Sequence, residues 1–333
     1  MSEYEFRSVA AEQLRRYREV CRSSYADRTC RSYLHALTLL DGYLCEIGFG
    51  GGPITQGIVE GWLSAASEGM SGNTVRGYIT AMRSFASFLS SVGVACYAPP
   101  QRKASDRYTP YIYSDGEVLE ILRAADSLKV TAGCGLPDIR AELPMALRIL
   151  CGCGTRIGET LLLKVGDVDL ESGVMTMRRT KGSKERLVPM HPTLADTLAR
   201  YCAFMGIVGS PGAWLFPGKS RDVPLGQYEF RGHFLKALRE AGVSDPGRGF
   251  RERGPCLHCF RHWFVLKSFK QLEAAGVGAD DAVPYLSIYL GHARLNETES
   301  YMKFSAQMFP EELARFEAAG EGLYPEIEEG DWI

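Results

Sequence analysis

The chain has 333 residues, 45% hydrophobic and 23% charged, which suits a soluble protein with well-buried cores, leaves room for two domains and excludes global disorder. A formal net charge of −2 does not by itself point to a polyanionic partner, yet residues 310–333 hold eight acids against Arg315, leaving the first 309 residues at +5. No apolar run approaches the ~18 residues of a membrane span, the Met1-Ser2-Glu3-Tyr4 start has no basic-then-apolar signal pattern, and ten cysteines at this length are no disulfide framework, so a reducing, cytoplasmic setting is expected.

Apolar residues at helical spacing predict helices over 27–47 and 72–92. Both begin alike, Thr29-Cys30-Arg31-Ser32-Tyr33 and Thr74-Val75-Arg76-Gly77-Tyr78, with each Thr standing as an N-cap. Residues 54–67 predict a third helix between them. Two copies fall short of a solenoid, so residues 1–97 are read as a small helical bundle. Arg31 and Arg76 are expected in the first turns of their helices, poorly placed for the helix dipole and well placed to meet a DNA backbone; the alternative is two solvated surface arginines. Ala98-Pro99-Pro100 excludes helix and opens a polar, basic linker over 98–111.

Ser114-Asp115-Gly116-Glu117 is a capping-box pattern that opens a helix over 118–125 and, near it, a second domain covering 112–309. A helix over 141–151 is expected to end at Gly152 and Gly154, with Thr155 capping a further helix from Arg156 to Leu163. Residues 165–170, 174–179 and 185–189 read as three short strands joined by turns, hence an antiparallel sheet. Helical patterns return at 192–205, 227–241, 258–274, 282–290 and 298–304, so the fold class is mainly α with one small three-stranded sheet. Residues 310–333 form an acidic tail, with an amphipathic helix over 310–319.

Several of these segments carry chemistry. Arg156 follows Gly154-Thr155 at a helix start, where backbone N–H groups and a planar guanidinium can share one anion; its alternative role is an ion pair with Glu159 at i+3. The turn Arg178-Arg179-Thr180-Lys181-Gly182-Ser183-Lys184-Glu185-Arg186 sets five cations against one acid and is read as DNA-facing. Either Lys181 or Lys184 could place an ammonium near a leaving oxygen. His258 and Arg261 stand three apart on one helical face and could bond adjacent oxygens of a phosphate, whereas His262, beside Phe260, Trp263 and Phe264, reads as a satisfied core residue. His292 follows the helix-ending Leu290-Gly291 and lies nine residues before Tyr301.

The ordered set Gly154-Thr155-Arg156-Ile157-Gly158-Glu159, Thr180-Lys181-Gly182, His258-Cys259-Phe260-Arg261-His262, Leu290-Gly291-His292 and Tyr301 resembles the tyrosine recombinases, also called the phage integrase family, over about 112–305. The N-terminal bundle resembles that family's core-binding domain, and the remainder its catalytic domain. The chain departs from the family pattern at Gly158, Phe260 and Trp263 and in a long segment over 244–256, none of which removes a functional group. The resemblance implies that Tyr301 attacks a DNA phosphodiester to form a 3′-phosphotyrosyl link, that Arg156 and Arg261 stabilise transition-state charge, that His258 and His292 handle protons, and that Lys181 protonates the leaving 5′ oxygen. It also implies double-stranded DNA as partner, a tetramer on two DNA sites, room for accessory proteins, a nucleoid-associated location, a mobile-element role, and no need for a cofactor, ATP or a metal. Arg31, Arg76, Arg178, Arg179, Lys184 and Arg186 are the candidate DNA contacts. Alternatives are a type IB topoisomerase, a regulator that binds DNA without cutting it, and a zinc module built on Cys151, Cys153, Cys256 and Cys259, although a metal there would compete with the phosphate site.

Overall fold

The computed structural model describes residues 4–102, 110–128, 138–178, 185–243, 254–292 and 294–302. The chain divides into two compact units, residues 1–107 and 108–333. Arg179, Lys181 and Lys184, the acidic tail with its expected helix, most of the segment over 244–256 and half of the expected linker lie outside the described residues.

In the first unit four helices pack together: α1 (Ala11–Ser24), α2 (Asp27–Glu46), α3 (Gln56–Ala66) and α4 (Gly72–Ser91). α2 and α4 supply the longest buried faces, from Cys30, Ala36, Leu37, Leu40 and Leu44 on one and Val75 to Leu89 on the other, closing around Trp62 of α3. Helix α1 turns Ala11, Leu14, Tyr17 and Cys21 inward from an otherwise largely charged stretch. The expected threonine caps are corrected. The helix begins at Asp27, so Thr29 is internal, and Ser71 caps α4 by accepting from the Thr74 amide at 3.2 Å. Arg31 and Arg76 therefore sit beyond the first turn, where both are exposed.

The second unit opens on α5 (Asp115–Asp126), whose capping box forms as read: the Ser114 hydroxyl accepts from the Glu117 amide, and the Glu117 carboxylate accepts from the Ser114 amide at 2.7 Å. Helix α6 (Ile139–Cys153) is buried along nearly its whole length and forms the centre of the core. It runs through Gly152 and stops only at Gly154, whose φ of 58° is left-handed. Thr155 is not the next cap; its hydroxyl bonds that of Thr160 at 2.7 Å in a buried contact, and Arg156 occupies the cap position of a single turn, α7 (Ile157–Thr160). This helix is shorter than expected because the backbone of residues 163–165 pairs instead with 213–215, through Leu215 N to Leu163 O and Val165 N to Ala213 O.

Strands β1 (Val168–Asp169), β2 (Val174–Met177) and β3 (Arg186–Pro189) make the expected antiparallel sheet in the order β1-β2-β3. β1 is cut to two residues because Val165–Asp167 coils into a 3-10 turn, with Asp167 accepting from the Lys164 amide. Met175 and Met177 of β2 and Val188 of β3 turn inward to the core. Helices α8 (Pro192–Met205) and α9 (Gln227–Glu240) cover α6 and α5. Helices α10 (Leu257–Ala274), α11 (Ala279–Leu290) and α12 (Leu295–Met302) complete the unit. The start of α10 is located by Tyr113, whose hydroxyl donates to the Cys256 carbonyl at 3.1 Å and whose ring packs 4.9 Å from that of Phe260.

Candidate active site

Arg261 organises the site. Its guanidinium is 2% exposed, donates from Nη1 to the Gly154 carbonyl and from Nη2 to the Leu290 carbonyl, each at 2.8 Å. Those carbonyls lie at the C-terminal ends of α6 and α11, both closed by glycines in the left-handed region. The negative ends of two helices thus replace the water that a buried cation loses. Glycine is also required sterically at 154, where an added Cβ would run into the Phe264 ring. Burial, and then the Arg156 charge, draw the Arg261 pKa down to about 10, opposed by Tyr301, so the group remains cationic at neutral pH.

His292 faces the same guanidinium, Nε2 to Nη2 at 2.9 Å, and its Nδ1 lies 2.6 Å from the Thr298 hydroxyl. Arginine can only donate, so Nε2 accepts and the proton of the neutral ring sits on Nδ1, donated to Thr298. Thr298 is itself held by the Ser287 hydroxyl at 2.6 Å, and both hydroxyls are buried. Burial first, then the charges of Arg261, Arg156 and Arg186, bring His292 down to about 4, which keeps the ring neutral.

Tyr301, on α12, is 5% exposed and packs among Val265, Phe269, Ala282, Val283, Leu286 and Leu290. Its ring lies parallel to that of His292 at 6.2 Å. Burial raises the phenol pKa, while the charge of Arg261, and then that of Arg156, pull it down. The phenol is therefore buried against the cationic cluster itself.

Arg156 donates to Glu159 at 2.8 Å, and the other oxygen of that carboxylate accepts from Arg186 at 2.7 Å. Arg186 also donates to the Tyr289 carbonyl at 3.0 Å, with its side chain 9% exposed. The expectation of Arg186 as a DNA contact is corrected: β3 points it inward, where it ties the sheet to α7 and α11. Burial would raise the Glu159 pKa, but Arg186 and then Arg156 overcome it, and the carboxylate is held below its ordinary range.

His258, exposed in the first turn of α10, meets His262 edge to face at 4.8 Å, and the His262 ring in turn lies 5.3 Å from that of Tyr301. His262 is a core residue but not a satisfied one, since both ring nitrogens are buried without a hydrogen-bond partner. Burial, then the charges of His258 and Arg261, bring it down to about 3. Arg178 is exposed at the root of the basic turn and is paired with Asp167 at 2.6 Å and Glu185 at 3.3 Å. The structure thus gathers Arg156, Arg261, His292 and Tyr301 around one point, sets His258 one ring away, and leaves Lys181 outside the described residues. Sequence reasoning missed Ser287 and the carbonyls of Gly154 and Leu290; no residue-type signal marks a backbone acceptor, though the two helix-ending glycines mark where one stands. Among the described residues no cluster of three or more His, Cys, Asp or Glu side chains could hold a metal ion.

The sequence profile of the phage integrase family matches residues 116–308. A protein of Sinorhizobium fredii carrying the integrase/recombinase designation y4rB is 32% identical over 63% of this chain and 67% of its own length. Tyrosine recombinase XerC of Brucella melitensis is 32% identical over 56% of this chain, which spans about half (55%) of that relative. Among solved structures, the XerH site-specific recombinase in its post-cleavage complex with palindromic difH substrate superposes with a TM-score of 0.67 over 91% of this chain and 85% of that one, at 20% identity, a likeness of fold.

Proposed function

Because the chain belongs to the phage integrase family, we propose that it is a site-specific tyrosine recombinase that cleaves and rejoins duplex DNA through a 3′-phosphotyrosyl intermediate, in the service of a mobile element. The observation that carries this reading is that the Tyr301 ring lies parallel to that of His292 at 6.2 Å while the buried Arg261 guanidinium engages the same histidine at 2.9 Å. A phosphodiester seated on Arg156 and Arg261 would have the nucleophile beside it.

In this scheme the Tyr301 oxygen attacks phosphorus, its proton passes to His258, the bond to the 5′ oxygen breaks, and Lys181 protonates that oxygen. Arg156 and Arg261 neutralise the charge that builds on the non-bridging oxygens, and His292, once its Nε2 has taken up a proton, donates a hydrogen bond to one of them. The phosphotyrosyl ester keeps the energy of the broken bond, so the returning 5′ hydroxyl can reverse the step without ATP, and the cationic side chains supply the charge that a metal would otherwise provide. Exposed Arg31 and Arg76 on the helical unit, with Arg178, Arg179 and Lys184, would bind backbone phosphates and make affinity steeply salt-dependent. Four protomers would pair two duplexes.

The test is a nicked duplex bearing candidate sites, incubated in EDTA and searched for protein joined to a 3′ end. The parent chain is expected to form the adduct, and Tyr301→Phe to bind the same DNA with unchanged affinity and form none. An adduct that persists in Tyr301→Phe refutes the assignment of the nucleophile; DNA binding without any adduct in the parent would mark a regulator, and relaxation without strand exchange between paired sites a topoisomerase.

A further inference from the structure

The thiols of Cys256 and Cys259, on either side of His258, are not used by the proposed strand chemistry, yet their geometry is specific. Cys256 occupies the N-cap of α10 and Cys259 the third helical position, and their sulfurs lie 3.3 Å apart. Cys259 is completely buried whereas Cys256 is partly open to solvent. The outer sulfur, at the start of the helix and partly open to solvent, is the one an external disulfide can reach. The inner thiol, hydrogen-bonded to Cys256 and buried, is pushed well up and keeps its proton until needed. The second thiol pair, Cys21 and Cys30 in the helical unit, is buried at both members, 0% and 6% exposed, and offers an oxidant no such entry.

We infer that Cys256 and Cys259 form a reversible dithiol–disulfide couple, oxidised by small-molecule disulfides of the glutathione type, that disables strand cleavage by constraining His258. The Cys256 thiolate attacks one sulfur of the external disulfide and expels a thiolate, leaving a mixed disulfide. Cys259 then gives up its proton and attacks the Cys256 sulfur, which expels the second thiolate. The two protein thiols lose two electrons and two protons, and the external disulfide gains both as two thiols. Closing the sulfurs from 3.3 Å to a bond length of about 2.05 Å fixes the side-chain torsions of both cysteines and ties the turn that contains Leu257 and His258 into one covalent ring. His258 lies inside the covalent ring so formed, one turn before Arg261.

The loss of cleavage rests on the recombinase reading; the disulfide itself does not. The test equilibrates the full chain in defined mixtures of reduced and oxidised glutathione, maps disulfides by peptide mass, and measures adduct formation on nicked DNA at each ratio. The expected result is a Cys256–Cys259 bond, cleavage lower by at least about tenfold as befits loss of a proton-handling group, unchanged DNA affinity, and full recovery in dithiothreitol. Cys256→Ser, which keeps a side chain suited to an N-cap, should cleave normally and ignore the oxidant; Cys259→Ala serves should the serine variant fold poorly. The inference is overturned by the absence of the mapped bond, by a bond that leaves cleavage intact, or by equal oxidant sensitivity in Cys256→Ser. A reduced parent that forms no adduct at all sinks the recombinase reading instead, and the mapped bond alone then decides whether the couple exists.

Discussion

Replacing Glu159 by Gln separates the two roles of the arginines around it. The carboxylate takes Arg156 on one oxygen at 2.8 Å and Arg186 on the other at 2.7 Å, with the Glu159 and Arg186 side chains only 6% and 9% exposed. Glutamine keeps the volume, so no cavity term enters, but its amide has one acceptor and one donor end. Whichever guanidinium meets the NH2 group faces donor against donor. Arg186 already carries a buried Nη1 without a partner, so it has no second anion to turn to. Removing one member of a buried pair costs about 3–5 kcal/mol, which for a unit of this size lowers Tm by roughly 6–20 °C. The folded carboxylate titrates below its ordinary value, so its contribution is complete above about pH 4.5 and is lost as pH falls through the folded pKa; the variant should lack that acid loss. Calorimetry of parent and variant between pH 4 and 7 measures both effects. A variant within about 0.5 kcal/mol of the parent at neutral pH, the range of an ordinary surface change, would refute the claim that Glu159 neutralises Arg186.

Thr298→Val removes the hydroxyl that receives the His292 Nδ1 proton and leaves Ser287 facing a methyl; stability should fall by about 1–3 kcal/mol, and adduct formation should drop with DNA affinity unchanged, as read by single-turnover cleavage. The buried, neutral rings of His262 and His292, brought down to about 3 and about 4, bind protons only in the unfolded chain as pH falls below ~6.5, so stability should decline there by up to about 1.4 kcal/mol per pH unit for each ring. His262→Phe should flatten that slope by one proton, measured by urea denaturation across pH 4 to 7. Glu142 behaves oppositely: fully buried with neither oxygen partnered, its carboxyl is pushed up to about 8, so the folded state holds a proton that the unfolded chain releases above about pH 4.5. Stability should therefore fall as pH rises through that window, and Glu142→Gln should remove the dependence; an identical pH profile in parent and variant would refute it.

The helices were legible wherever burial follows a single period, as in α2 and α4, where Cys30, Leu37 and Leu44 or Val75, Met82 and Leu89 repeat at sevens. The capping box of α5 was legible because it is a local exchange of hydrogen bonds between Ser114 and Glu117. What escaped was set by partners distant in sequence. The helix expected from Arg156 to Leu163 stops at Thr160 because residues 163–165 are claimed by 213–215, and nothing near Leu161 announces that competitor. Arg186 looked like one more cation of a basic turn because composition cannot distinguish a guanidinium that points along β3 into Glu159 from one that points out. The site residues were legible as a set, through their order and spacing, and their individual roles were not.

The electrostatics of the site give that set its meaning. Arg156 and Arg186 share the carboxylate of Glu159, and the carbonyls of Gly154 and Leu290 supply only partial charge to Arg261. Burial first, and then these positive charges, hold His292 neutral, and the same charges oppose the effect of burial on the Tyr301 phenol. A phosphodiester arriving on Arg156 and Arg261 would bring the missing negative charge, and in this water-poor setting its effect on the neighbouring groups would be far larger than in bulk solvent. It would compete with Nε2 of His292 for the same guanidinium, releasing an imidazole free to take a proton. The hydrogen bond between Arg261 and His292 is therefore one that the substrate would have to exchange for its own.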